Sequence, residues 1–330
     1  MRGTLSTAAV CGFWNPRVKR AAISAIPSFL PSTSSVIAIL GANVDANSSY
    51  LTGTAAAPDV IRAAFHSDSA NGFSESGVDL MHNALITDMG NLVPSSASMS
   101  SLSAAAQTII AHDKRLLTLG GDHSITYPLV KGVRRALCAR GETRLNILHL
   151  DAHSDLYEYD ILNQNNRYSH ASPFARILEE GLCSRLVQVG VRTHTQHTRA
   201  QAAAYAVETH DMRSISSSSW PPKLSFDGPV YVTVDLDVLD PAFAPGVSHF
   251  EPGGLSTRDV LSLVQTFAGD VIASDVVELN PSRDVGSYGM SISGEAPSGV
   301  TAMVAAKITK ELLARMLESA EAATSSSTST

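Results

Sequence analysis

The chain has 330 residues, 44% of them hydrophobic, a formal charge of −7 and three cysteines. That length and apolar content suffice for one large α/β core, and the acidic balance, with no basic stripe, argues against a nucleic-acid protein. No apolar run approaches the roughly 20 residues of a membrane span, and Cys11, Cys138 and Cys183 are too scattered for a disulfide framework.

In chain order, residues 1–44 carry Arg2, Arg17, Lys19 and Arg20 but no acid before Asp45. An Arg-bearing, Ser-rich, acid-free leader reads as an organelle transit peptide over 1–34, the alternative being an ordinary disordered N-terminus. Six short apolar runs follow: SVIAIL (35–40), RLLTLG (115–120), RLNILHL (144–150), RLVQVG (185–190), PVYVTV (229–234) and DVIASDVV (270–277). Their apolarity is continuous rather than alternating, which marks strands buried on both faces. Helical segments are predicted over 56–66, 101–112, 125–138, 172–181, 198–206, 256–268 and 300–318. Strand–helix alternation over the whole chain gives a mostly parallel sheet with helices on both faces, a three-layer α/β/α fold. The tail SAEAATSSSTST (319–330) is low in complexity and reads as disordered.

In such sheets ligands gather beyond the carboxyl ends of the strands, and four of these strands end in acids or imidazoles. RLLTLG runs into Asp122 and His123, NILHL into Asp151, His153 and Asp155, VYVTV into Asp235, Asp237 and Asp240, and VIASDVV into Glu278. Alternate residues of an extended chain point the same way, so D-x-H-x-D and D-x-D can each line one site. Five carboxylates brought together without cations would raise each other's pKa steeply. Two divalent ions resolve the repulsion, and a carboxylate-rich, thiolate-free set suits a hard or borderline metal such as Mn²⁺. The duller readings give Asp122 to a helix cap, His149 to the core, Asp240 to the turn before Pro241 and Asp275 to structure. Gly120–Gly121 lacks the pattern of a phosphate loop.

GGDHS, DAHSD and DLDVLDPAFAPG, in that order, resemble the metal motifs of the ureohydrolase family, the arginases and agmatinases. NSSYLTG (47–53), APDVIR (57–62), YSHASPFARI (168–177), VSHFEPGGLS (247–256) and TAMVAAK (301–307) are similar to the plant-type arginase branch, and the resemblance spans roughly 35–318. It implies an arginase-like sheet of about eight strands and two Mn²⁺ ions per subunit. One ion would be held by His123, Asp151, Asp155 and Asp235, the other by Asp151, His153, Asp235 and Asp237. It further implies that a hydroxide shared by the two ions attacks the guanidinium carbon, that Asp155 bonds this nucleophile, that Glu278 holds the guanidinium and that His170 relays a proton. Urea and an amine would result, ornithine from arginine or putrescine from agmatine.

The loop by which animal-type arginases read the substrate carboxylate is absent, and Asn165, Asn166 and Arg167 in LYEYDILNQNNRYSHAS (156–172) are the candidate readers in its place. Residues 285–297 are Gly- and Ser-rich and read as an insertion near the active-site edge. The resemblance also implies a homotrimer or homohexamer and a small guanidino substrate, with no nucleic-acid or membrane partner. With the leader it points to a mitochondrial enzyme, chloroplast or cytoplasm being the alternatives. A silent regulatory subunit would have lost ligands, and all six metal positions are present; a deacylase would not need Glu278.

Overall fold

The computed structural model describes residues 35–92, 98–215, 220–286 and 299–327, with side chains as far as Ala322. The expected leader and residues 287–297 of the expected insertion lie outside the described residues.

Eight strands form one sheet: β1 (Ile37–Gly41), β2 (Ile86–Asn91), β3 (Arg115–Leu119), β4 (Asn146–Leu150), β5 (Arg185–Val189), β6 (Glu208–His210), β7 (Ser225–Asp235) and β8 (Ala268–Val277). Their order is β2-β1-β3-β8-β7-β4-β5-β6, and every neighbouring pair is parallel. Among the described residues seven α-helices cover it: α1 (Ala57–Phe65), α2 (Met99–Ala111), α3 (Thr126–Ala139), α4 (Pro173–Glu179), α5 (Gln196–Ala204), α6 (Thr257–Thr266) and α7 (Val300–Ser327). Strand side chains alternate between two cores. Ile37, Ile39, Leu148, Leu150, Val232 and Val234 pack with α1, α6 and α7. Ala38, Leu40, Ile147 and Tyr231 pack with α2, α3 and α4 on the other face. Two buried faces explain the unbroken apolar runs, and the three-layer expectation holds.

The strands that the sequence reading missed are the two edges. β2 buries one of its six residues fully and β6 none of its three, so neither needs an apolar signature. β2 is instead held by a charge pair: Arg62 of α1 sets Nε and Nη2 on the two oxygens of Asp88 at 2.8 and 3.0 Å. The backbone of α7 runs past residue 318 into the low-complexity stretch as far as Ser327. Its Ala and Glu residues favour the helix, and the preceding turns of α7 supply a nucleus already formed. No helix among the described residues is long and apolar enough to cross a membrane.

The loop after β1 crosses the end of β3 at very close range, and Gly121 permits this. A Cβ there would lie 1.7 Å from the Val44 carbonyl oxygen. That carbonyl cannot retreat without losing the Asp122 N–H, which donates to it at 2.8 Å. Gly121→Ala should therefore lower unfolding free energy by about 1–3 kcal/mol, read as a lower urea midpoint at unchanged slope. An unchanged midpoint would show that the approach is not a constraint.

Candidate metal centre

The four strands that end in acids are consecutive in the sheet, β3-β8-β7-β4, although the chain visits them far apart. His123 opens a short 3₁₀ turn after β3, capped by Asp122, whose carboxylate accepts the Ser124 N–H at 3.1 Å. Asp151 follows β4, Asp235 closes β7, and Asp235 Oδ1 receives the Asp237 N–H at 2.9 Å. Asp155 and Glu278 adopt left-handed backbone, φ 50° and 67°, at a cost of about 1–2 kcal/mol each for non-glycine residues. The Glu278 N–H donates to the Gly121 carbonyl at 2.9 Å, which ties the end of β8 to the end of β3.

Around His123 the side chains converge. Its Nδ1 lies 3.1, 3.1 and 3.2 Å from Oδ2 of Asp151, Asp155 and Asp235; burial alone would lower this ring, but the three carboxylates override it and hold it well above its usual range. Its Nε2 is 2.9 Å from the Thr233 hydroxyl. That hydroxyl also bears on the buried Asp275 carboxylate, so it accepts the Nε2–H and leaves Nδ1 facing three acids. An imidazole nitrogen and three carboxylate oxygens aimed at one point describe a place for a cation, the Nδ1 proton itself or a metal ion once that proton has left. A second group sits alongside: His153 Nδ1 is 3.0 Å from Asp237 Oδ2 and 3.4 Å from Asp151 Oδ1. Asp151 thus turns one oxygen to each group. The residues present fit two divalent ions, and with imidazole and carboxylate donors but no thiolate they fit Mn²⁺ chemistry. Among the described residues the cysteines Cys138 and Cys183 are free and take no part, and burial pushes the Cys183 thiol up to about 12.

The protein without metal holds this charge with difficulty. Burial, then the neighbouring Asp237 and Asp151, lifts the Asp235 carboxyl well above its ordinary range. Burial, then Asp151, raises Asp155 to about 6, and burial with Asp151 outweighs the pull of His153 on Asp237.

Next to the acids stands a second pair. Glu278 Oε1 accepts the His123 backbone N–H and the His170 Nδ1–H, each at 2.9 Å. None of these bonds uses Oε2. Burial alone would lower His170, but the Glu278 carboxylate overrides it and lifts it to about 9. At the other ring nitrogen, Ser49 offers its hydroxyl at 2.8 Å and its N–H at 3.2 Å to Nε2. The N–H can only donate, so it asks for a free Nε2 lone pair, whereas the hydroxyl can turn to accept when Nε2 carries a proton. Asn47 fixes this arrangement: its N–H reaches Asp122 Oδ2 at 3.0 Å and its carbonyl accepts the His170 N–H at 3.2 Å.

A cavity of about 700 Å³ opens above the cluster, with His153, Asp155, His170, Asp235, Asp237 and Glu278 on its wall. Asn165, Asn166 and Arg167 do not line it, contrary to the expectation that they read the substrate. Arg167 is drawn outward by Glu179 at 2.8 Å and Tyr159 at 3.0 Å. Asn166 ties its loop to Asn47 at 3.1 Å, and Asn165 is an exposed left-handed turn residue. The cavity wall carries residues that the motifs did not single out: Ser49, Arg192, Thr193, Thr195 and His249. The His249 ring lies 5.2 Å from that of His170 and 5.9 Å from that of His153. Burial, then the charge on His170, keeps His249 below its usual range. Thr233 and Asp275 show one weak signal in the sequence, a polar residue inside an otherwise apolar strand.

Raised carboxyls and imidazoles must shed protons before they hold metal. Mn²⁺ binding near pH 7 should therefore release protons, and apparent affinity should fall at least roughly tenfold between pH 8 and pH 6. Calorimetry in buffers of different ionisation enthalpy measures the release; a heat independent of buffer would contradict the picture.

Comparison with known proteins agrees with this geometry. The arginase family profile matches residues 35–314. The chain is 43% identical over 292 residues to arginase 1, mitochondrial, of Oryza sativa subsp. indica, covering 84% of this chain and 81% of that one. It is 32% identical to the agmatinase of Serratia proteamaculans, over 71% of this chain and 72% of that one. The structure of arginase from Medicago truncatula superposes with a TM-score of 0.72 at 40% identity, covering 86% and 88% of the two chains. The matched span takes in the whole acid cluster from His123 to Glu278, and the chain belongs to the arginase family.

Proposed function

We propose that the protein hydrolyses L-arginine to urea and L-ornithine at a centre of two Mn²⁺ ions. The observation that carries this is the convergence of His123, Asp151, Asp155 and Asp235 on one point, and of Asp151, His153 and Asp237 beside it. His123, Asp151, Asp155 and Asp235 would hold one ion and Asp151, His153, Asp235 and Asp237 the other. When bound, the ions supply charge compensation and Lewis acidity that let water act as a nucleophile near neutral pH. Glu278 takes the planar substrate cation on Oε2, and a carboxylate orients a guanidinium by directed, charge-assisted hydrogen bonds. Asp155 accepts a hydrogen bond from the attacking water as the guanidinium carbon becomes tetrahedral. The bond from that carbon to the side-chain nitrogen then breaks, and the departing amine needs a proton. His170, held by Glu278 on one nitrogen and facing Ser49 on the other, is placed to deliver it.

Agmatine is a second reading with its own support. Arg192 spends its donors on main-chain carbonyls, those of Asp237, Val238, Leu239 and Glu251 among them. An arginine carboxylate would then be read by hydroxyls and backbone N–H groups, whereas agmatine has none to read. The curated relatives named arginase favour arginine. The acid-free leader and a relative named mitochondrial support a mitochondrial address, and the family resemblance supports a homotrimer or homohexamer.

Urea release from arginine and agmatine, offered separately to the Mn²⁺-loaded protein, tests the reading. Arginine should have the higher kcat/KM; the reverse order would keep the chemistry and change the substrate. Glu278→Gln should retain both ions while turnover drops at least roughly a hundredfold, and loss of metal would make Glu278 a ligand. Asp235→Ala should lose both ions by metal analysis and all turnover, and retention of either would contradict its bridging role.

A further inference from the structure

We propose that His149 and Gln188 are positioning residues for the metal centre, with Gln188 selecting the histidine tautomer that locks Asp151 in its bridging orientation. The inference rests on the metal-centre reading above and adds two residues from outside the ligand set.

His149 lies inside β4 and Gln188 inside β5, paired in register and both fully buried. The Gln188 amide nitrogen is 3.0 Å from His149 Nδ1 and 2.7 Å from the Ser154 carbonyl oxygen. A carbonyl only accepts, so the nitrogen of Gln188 faces it; the flipped amide would set oxygen against oxygen. The fold keeps this orientation even though it leaves Gln188 Oε1 without a hydrogen bond. The second amide hydrogen then points at His149 Nδ1, which must accept it. The ring's hydrogen is thereby on Nε2, 2.8 Å from Asp151 Oδ2. Phe174, stacked on the ring at 3.9 Å, prevents rotation.

His149 stands close enough to His123 and Asp151 to be mistaken for a metal ligand. The polarity of the chain of hydrogen bonds rules that out, because Nε2 presents a hydrogen and Nδ1 is already used. What His149 does is take one lone pair of Asp151 Oδ2 and fix the carboxylate plane. Oδ2 then faces His123 and Oδ1, which also receives the His153 backbone N–H at 2.6 Å, faces the second group. Partners of this kind behind a metal ligand are worth about 10–100-fold in metal affinity.

The test uses the full chain and Mn²⁺ alone, with affinity from calorimetry and the melting temperature of the metal-free protein as the readout of packing. His149→Phe keeps the stack on Phe174 and removes the donor; Mn²⁺ affinity should fall about 10–100-fold. His149→Gln puts an amide donor near the Nε2 position and should recover affinity to within severalfold of the parent. Gln188→Glu asks for a hydrogen on Nδ1 instead, reverses the tautomer and should weaken Mn²⁺ as His149→Phe does. The proposal is overturned if His149→Phe binds Mn²⁺ like the parent, or if His149→Gln loses as much as His149→Phe. It is also overturned if melting temperatures shift while affinities do not. A parent protein that binds no Mn²⁺ would overturn the metal-centre reading and this proposal together, whereas the other outcomes overturn this proposal alone.

Discussion

The structure depends on one electrostatic demand: four aspartates, Asp151, Asp155, Asp235 and Asp237, sit buried within bonding reach of two imidazoles. Buried like charges at such range cannot all ionise unaided. Protonation relieves the repulsion in the metal-free protein and divalent ions relieve it with full charge. Either way the groups must stay where they are, so the fold has to supply rigidity in a place where electrostatics alone would push the chain apart.

Rigidity comes from three sources in the fold. The sheet sets the four strand ends side by side, so that the acids begin from backbone already locked in parallel ladders. Behind His123, Thr233 and Asp275 anchor the ring from its far side, and Asp275 is in turn held by hydroxyls of Thr126 and Tyr231 at 2.8 and 2.7 Å. In front, Asn47 joins the first loop of the chain to Asp122, Ser124 and the main chain at His170. Left-handed backbone at Asp155 and Glu278 is tolerated because these surroundings over-determine it.

Much of this was legible in the sequence because the signals were local. Buried strands appear as continuous apolar runs, and an acid directly after such a run is on the functional edge of a parallel sheet whatever the strand order. His123, Asp151, His153, Asp155, Asp235, Asp237 and Glu278 were readable for that reason. The edges β2 and β6 were not, because a strand with little burial carries no apolar requirement. Arg167 misled because charge suggests a carboxylate reader, and only the fold shows Glu179 claiming it. Gln188 was hidden because its meaning lies in the direction of one amide, set by Ser154 on another strand's loop. Spacing along a chain carries no information about which way a hydrogen bond runs.

The strand order has a consequence for how the protein comes into being. β8, between β3 and β7, is the last of the described strands in chain order and lies within the functional edge. Until it inserts, β3 and β7 are open edges with unpaired backbone groups, the kind of surface that recruits other chains. A nascent chain long enough to include every aspartate of the cluster still lacks Glu278 and the strand that brings β3 to β7. The same topology that gathers distant residues into one site therefore makes the site all-or-none in time, and leaves the unfinished protein most exposed just before it is complete.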